Sequence, residues 1–132
     1  MIYRSKKWSH SGTEWEEFVQ YSRAVRVGNI IEVAGTTAID GNKIIGEGDL
    51  AAQTQFILEK IEQALIDLGT DRTSIVRTKM YVTNIEHWKE VGAVHGQFFK
   101  GIQPAATMVQ VQALIDPALL IEIEATAIIV SE

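Results

Sequence analysis

Apolar residues recur along this chain at two spacings, every second residue in some stretches and every third or fourth in others. The helical spacing is clearest in "LAAQTQFILEKIEQALIDL", where Leu50, Ile57, Ile61, Ala64, Leu65 and Leu68 form one stripe. Gln55, Glu59, Glu62 and Gln63 occupy the opposite face, Asp49 suits the N-cap, and Gly69 suits the position after the C-cap. A second amphipathic helix is predicted from about 86 to 99, with Trp88, Val91, Val94, Phe98 and Phe99 on its apolar side. Gly92 and Gly96 weaken it but would allow close packing on a neighbour.

Alternation marks the strands. Residues 2–8 read as a short edge strand whose lysines discourage edge-to-edge pairing. "YSRAVRVGNIIEVAGTTA" reads as a hairpin turning at Gly28-Asn29, with Tyr21, Arg23, Val25 and Val27 sharing a face. Gly35, late in its second strand, marks a bulge, a close approach by another group, or simply the strand's end. "IDGNKIIGEG" is a glycine-punctuated loop, and "SHSGTEWEEF" before the hairpin reads as another, its Glu14, Glu16 and Glu17 a solvated cluster. "TSIVRTKMYVTN" sets Val76, Thr78, Met80 and Val82 against Arg77, Lys79 and Tyr81. Between Pro104 and Val130 two strands follow, joined by a short loop. In the second, Ile121, Ile123, Ala125, Ala127 and Ile129 alternate with Glu122, Glu124 and Thr126, the latter set opposite Gln110 and Gln112 or their alternates.

The order β-β-β-α-β-α-β-β predicts an α+β fold, a mixed sheet with both helices packed on one face. The glutamate-bearing face is too polar for a second core, yet ends in Ile128 and Val130; an oligomer closing several sheets around a common interior would resolve this. The 132 residues fit one domain, 1–132. Seventeen acidic against twelve basic residues argue against a nucleic-acid partner, and the lack of cysteine excludes disulfides and thiolate metal sites. His10, His87 and His95 show no metal-ligand spacing, so neither metal nor cofactor is expected. With no apolar run near the roughly 20 residues that cross a bilayer and no signal-peptide pattern, a soluble cytoplasmic protein is expected.

"YSRAVRVGNIIEVAGTTA", "DLAAQTQFILEKIEQAL", "IVRTKMYVTN", "HGQFF", "PAATMVQVQAL" and "IEIEATAII" together resemble the RidA/YjgF family, over nearly the whole chain from Tyr21 onward. The resemblance implies a chorismate-mutase-like fold, a homotrimer, and small-molecule clefts between subunits. It also implies hydrolysis of reactive 2-imino or enamino acids to 2-oxo acids and ammonia. Glu122 then matches the glutamate that positions and activates the hydrolytic water, a role a partly buried carboxylate can fill; as a bare strand residue it would line the barrel. Glu124, on the same face, reads as structural. Tyr21 matches the cleft tyrosine, Gly35 a place where backbone approaches the ligand, and the Met108 amide one that helps bind a carboxylate.

The departures are specific. Deaminating members open this strand "P-A-R-[S/T]", where the present chain has Pro104, Ala105, Ala106 and Thr107, so Ala106 stands at the position of the carboxylate-gripping arginine. Alanine cannot supply a bidentate charged clamp, and losing the partner of a bound charge costs on the order of 2–5 kcal/mol. Gly92 replaces a helix asparagine and His95 a nearby tyrosine, so the site reads as larger and less cationic. Arg23 and His95 are candidate substitute cations, although Arg23 also reads as a surface arginine. The expected function is a RidA-like hydrolase or deaminase for an imine, enamine or related C–N substrate that lacks the usual carboxylate. A non-catalytic trimer that binds a ligand or a partner is the second reading. A ribonuclease or translation inhibitor is the third, against which the acidic balance weighs.

Overall fold

The computed structural model describes residues 6–130. In chain order the elements are β1 (Lys6–Ser9), α1 (Glu14–Val19), β2 (Ala24–Val27), β3 (Ile30–Thr36), β4 (Ile39–Asp40), β5 (Lys43–Ile44), α2 (Leu50–Asp67), β6 (Ile75–Val82), α3 (Trp88–Phe98), β7 (Ala105–Gln110) and β8 (Ile121–Ile128). Short 3-10 turns at Arg72–Ser74 and Ile85–His87 lead into β6 and α3. Strands β1-β2-β3-β8-β6-β7 form one six-stranded sheet, and β4 and β5 a separate ribbon. Only the β6–β7 pair is parallel, because α3 carries the chain across the sheet between them.

Setting α1 and the ribbon aside, this is the order read from the periodicities. Asp49 caps α2 by accepting from the Ala52 N–H at 3.0 Å, and Gly69 takes φ +98 just past its end. The hairpin turns at Gly28, φ +60, with Val27 facing Ile30 across a two-residue loop. The core lies on one face of the sheet. There Leu50, Ile57, Leu58, Ile61 and Leu65 of α2, with Val91 and Phe98 of α3, bury Ile121, Ile123, Ala125 and Ala127 of β8. Gln53 is fully buried and satisfied: its amide donates to the carbonyls of Gly46 and Ala118, and its oxygen accepts from the Leu120 N–H. That amide fixes the start of β8 against α2.

Several expectations need correction. The stretch read as a loop around Glu14 forms α1, and Glu16 is buried rather than solvated. Of the expected edge strand, residues 2–5 lie outside the described part. Val76 is exposed, because a bulge between Ile75 and Arg77 moves Ile75 into the core instead. Trp88, on the first turn of α3, is 51% exposed. Neither Gly92 nor Gly96 is needed for packing within the chain; a Cβ at Gly92 would meet Trp88 at an ordinary 3.8 Å, and one at Gly96 nothing within 4 Å. The last two strands do not pair with each other: β6 lies between them, so Glu122 faces Tyr81 rather than a glutamine, and Gln112 lies beyond β7. No helix among the described residues is long and apolar enough to cross a membrane.

Candidate functional site

The sheet face away from the core carries Glu32, Arg77, Lys79, Tyr81, Glu122, Glu124 and Thr126. Most of these groups satisfy one another. The Tyr81 hydroxyl donates to Glu124 at 2.8 Å and Lys79 lies 3.9 Å from the same carboxylate. Thr126 donates to Glu32 at 2.6 Å, and Arg77 donates to the Thr107 hydroxyl at 3.0 Å. The bond to Glu124 disfavours ionisation of Tyr81 and raises its pKa, with burial and the charges of Glu124 and Glu122 adding to the effect. A groove of about 670 Å³ crosses this face between Trp8, Tyr21, Val25, Arg77, Lys79 and Glu124.

Glu122 is the exception. Its half-buried carboxylate accepts no hydrogen bond from any described residue. It lies instead against the backbone of Gly35, so closely that a Cβ there would stand 2.0 Å from Glu122 Oε2. The pairing of β3 with β8 slips at this point, between Val33–Ala125 and Thr36–Ile123, leaving Ala34 and Gly35 as a bulge. Gly35 therefore marks both a bulge and a close approach, and the approaching group is a side chain of the same chain. Burial pushes the Glu122 carboxyl above its ordinary range; Arg23 pulls against this and Glu124 adds to it.

Arg23 is not a surface arginine. Only 4% exposed, it donates from Nη2 to the Gly35 carbonyl at 2.7 Å and places Nη1 3.9 Å from Glu16 Oε2. Its backbone carbonyl accepts from the Ala34 N–H at 2.9 Å, its guanidinium lies 5.5 Å from the Tyr21 ring centroid, and its Nε–H is buried without an acceptor. Glu16, also 4% exposed, accepts from the Ser11 N–H and hydroxyl and from the Thr13 hydroxyl. Burial alone would raise the Glu16 carboxyl, but those bonds and the Arg23 charge outweigh it and hold it below the ordinary range. Glu16 was missed as a buried partner in the sequence. The signal available was Thr13-x-x-Glu16, the spacing of a helix N-terminal capping box.

The other sequence-selected residues lie elsewhere. Residues paired across neighbouring strands stand on the same sheet face. Ala106 pairs with Thr78 and Met108 with Met80, so both side chains of β7 face the helix side, where Thr78 and Met80 are buried. Thr107 pairs with Lys79 and faces the groove side. His95 comes from α3 to the helix side, its Nε2 2.9 Å from the Thr78 hydroxyl and its ring 4.6 Å from that of Phe99. Burial lowers its pKa, which favours neutral imidazole. The structure thus gathers Tyr21, Arg23, Gly35 and Glu122 at one end of the open face. It places Ala106, Met108, Gly92 and His95 around the opposite side of the β7 edge. Within one chain the two groups do not meet. Neither candidate cation offers a charge at Ala106: Arg23 is bound to Glu16 and Gly35, and His95, although on the Ala106 side, is biased to neutrality. Among the described residues no three His, Asp or Glu side chains are placed to hold a metal ion.

Known proteins share this fold. A solved structure of a YjgF/YER057c/UK114-family member from Mycobacterium tuberculosis superposes with a TM-score of 0.88 at 49% identity, over 95% of this chain and all of that one. An uncharacterized protein of Streptomyces coelicolor is 34% identical over 89% of this chain and 87% of its own length. The 3-aminoacrylate deaminase RutC of Acinetobacter baylyi is 31% identical over 81% of this chain and 85% of its own. The family model described as Endoribonuclease L-PSP matches residues 12–129. The chain belongs to that family, the RidA/YjgF proteins, and has their chorismate-mutase-like fold.

Proposed function

We propose that this protein is a RidA-like hydrolase that deaminates an imine, enamine or related C–N compound lacking the usual carboxylate, in a cleft shared by two copies within a homotrimer. The observation that carries the reading is Glu122. It is the one groove-face carboxylate near the bulge that is half-buried, raised in pKa and bound to no other described residue. A carboxylate whose pKa is lifted toward neutrality is a better proton acceptor that still ionises in the working range. Glu122 takes a proton from water as the oxygen adds to the C=N carbon. It passes that proton to the imine nitrogen to give the carbinolamine, then carries the hydroxyl proton to the same nitrogen as the C–N bond breaks and the C=O bond forms, releasing an oxo compound and ammonia. Tyr21 and the Gly35 backbone wall this half of the cleft.

The relative named for 3-aminoacrylate acts on an enamine that carries a carboxylate. In the present chain Ala106 offers such a group no charge, and neither Arg23 nor His95 is free to replace it. Loss of that clamp supports a substrate without a carboxylate. The separation of Glu122 from Ala106, Met108, Gly92 and His95 supports a composite site, with the β7 edge of one copy closing the Glu122 end of another. Ammonia release from a panel of freshly generated imines, with Glu122→Gln as control, tests the reading. Turnover by wild type and not by the variant is expected. No turnover across the panel would leave the non-catalytic ligand-binding trimer as the better account, and equal turnover by the variant would remove Glu122 as the base.

A further inference from the structure

Arg23 grips both residues of the bulge. Its carbonyl accepts from Ala34, and its guanidinium donates to the carbonyl of Gly35. Glu122 rests on the α-carbon of that same glycine. The two side chains therefore hold one residue from two sides, and Glu16, fixed by Ser11 and Thr13, holds the guanidinium from behind. We propose that Arg23, restrained by Glu16, is a positioning residue: it locks the Ala34–Gly35 bulge in the conformation that seats Glu122. This rests on the reading of Glu122 as the general base, and it assigns Arg23 no contact with substrate.

A guanidinium with five donors in a rigid fork can hold a peptide carbonyl and a carboxylate at once, which an ammonium cannot do with the same geometry. The charges acting on Glu122 are Arg23 ahead of β2 and Glu124 on its own strand, and Tyr81 of β6 is its cross-strand neighbour. Those acting around Arg23 are Glu16 and the half-buried Lys60, whose Nζ donates to the Ile39 carbonyl at 2.8 Å. The Arg23 charge favours ionised Glu122 against its burial, and Glu16 tempers that charge. Neutralising Arg23 must then raise the Glu122 titration midpoint, and neutralising Glu16 must lower it. A pair that served only to hold α1 onto the sheet would change thermal stability and leave kcat of the folded variants unchanged.

The experiment is a carboxyl-carbon NMR titration of the full-length protein, wild type beside Arg23→Gln, Arg23→Lys and Glu16→Gln, with Glu122 assigned from Glu122→Gln. Rate–pH profiles on the imine panel accompany it. Arg23→Gln is expected to raise the Glu122 midpoint by about one pH unit, the order of effect of one nearby charge. At pH 7 it is expected to lower kcat by about 10- to 100-fold, the loss that follows a displacement near 1 Å, with little change in KM. Arg23→Lys is expected to keep the midpoint near wild type yet lose kcat, because the charge remains and the fork on Gly35 does not. Glu16→Gln is expected to shift the midpoint downward. An unmoved midpoint in folded Arg23→Gln, or shifts of the same sign in Arg23→Gln and Glu16→Gln, would overturn the proposal. Should Arg23→Gln fail to fold, a Glu16→Gln midpoint that does not fall would overturn it equally. Hydrolysis surviving in Glu122→Gln would remove the general base but leave the NMR midpoints to decide the hold of Arg23 on Glu122.

Discussion

The bulge at Gly35 and the edge strand at Ala106 belong to one sheet but are built by opposite rules. Around Gly35 the chain packs Arg23 and Glu16, each 4% exposed, against a half-buried carboxylate, and a glycine yields its side-chain volume to make room. Around Ala106 it sets small residues on an outer strand whose side chains are nearly all exposed. Buried charge is concentrated at the central bulge, and β7 carries none. The contrast teaches how labour is divided in the proposed site. Proton transfer needs a carboxylate held in a fixed electrostatic setting, which central strands supply. Selection among ligands needs a wall that can change size and charge without disturbing that setting, which the edge supplies.

The sharpest way to break this contrast is Glu122→Gln. Loss of general-base catalysis is expected to lower kcat by about two to four decades, measured as ammonia release. The same variant is not expected to lose thermal stability near pH 7. A carboxyl whose folded pKa is raised contributes stability below its unfolded value that is lost as pH rises through the folded one, so the neutral amide removes a cost there. Next in size is Ala106→Arg, which returns a clamp to the open half. It is expected to raise kcat/KM for carboxylate-bearing imines by about one and a half decades or more, given 2–5 kcal/mol for such a pairing, and to leave carboxylate-free imines unimproved. No selective gain would mean that the two halves are not joined as proposed.

Gly35→Ala probes the dense half alone. With its Cβ 2.0 Å from Glu122 Oε2, the carboxylate must move. An activity loss of about tenfold or more is expected, with a destabilisation of about 1–3 kcal/mol by denaturant titration. The smallest effect concerns His95, on the opposite side of the sheet. Its pKa is lowered by burial, so the stability it contributes is present above its unfolded value of about 6.5 and lost as pH falls below that toward the folded value. Wild type is therefore expected to lose more Tm than His95→Gln when pH drops from about 7.5 to about 5.5. Equal losses would show that His95 is not held neutral.

What could be read from the sequence follows from which forces are local. Helix α2 was legible to its cap residues, because Asp49, Gly69 and the apolar stripe act within a few residues of one another. The inward and outward sets of β8 were legible for the same reason. Val76 was misassigned because a bulge inverts the parity of a strand, and its cause lies in pairing with a strand some fifty residues away, Ile75 facing Ala127. The burial of Glu16 was not visible because its partner Arg23 lies beyond a helix of six residues, too short to show a periodicity. Ala106 as a vacancy was legible only through resemblance; no property of an alanine says that an arginine is missing. That Glu122 and Ala106 face opposite ways depends on β6 lying between their strands, which no local pattern records.

The bulge at Ala34–Gly35 has a consequence for evolution. A sheet selected for stability alone would delete the extra residue, fill Gly35 with a side chain, and replace a buried arginine whose Nε–H finds no acceptor by something apolar. Each change would be an improvement by the standards of folding, and together they would erase the seat of Glu122. The bulge is thus a place where drift toward a sturdier protein and retention of the proposed base pull in opposite directions. If Glu122 is the base, stabilised descendants of this chain should carry their changes elsewhere, and the ones that regularise β3 should be found to have lost imine hydrolysis.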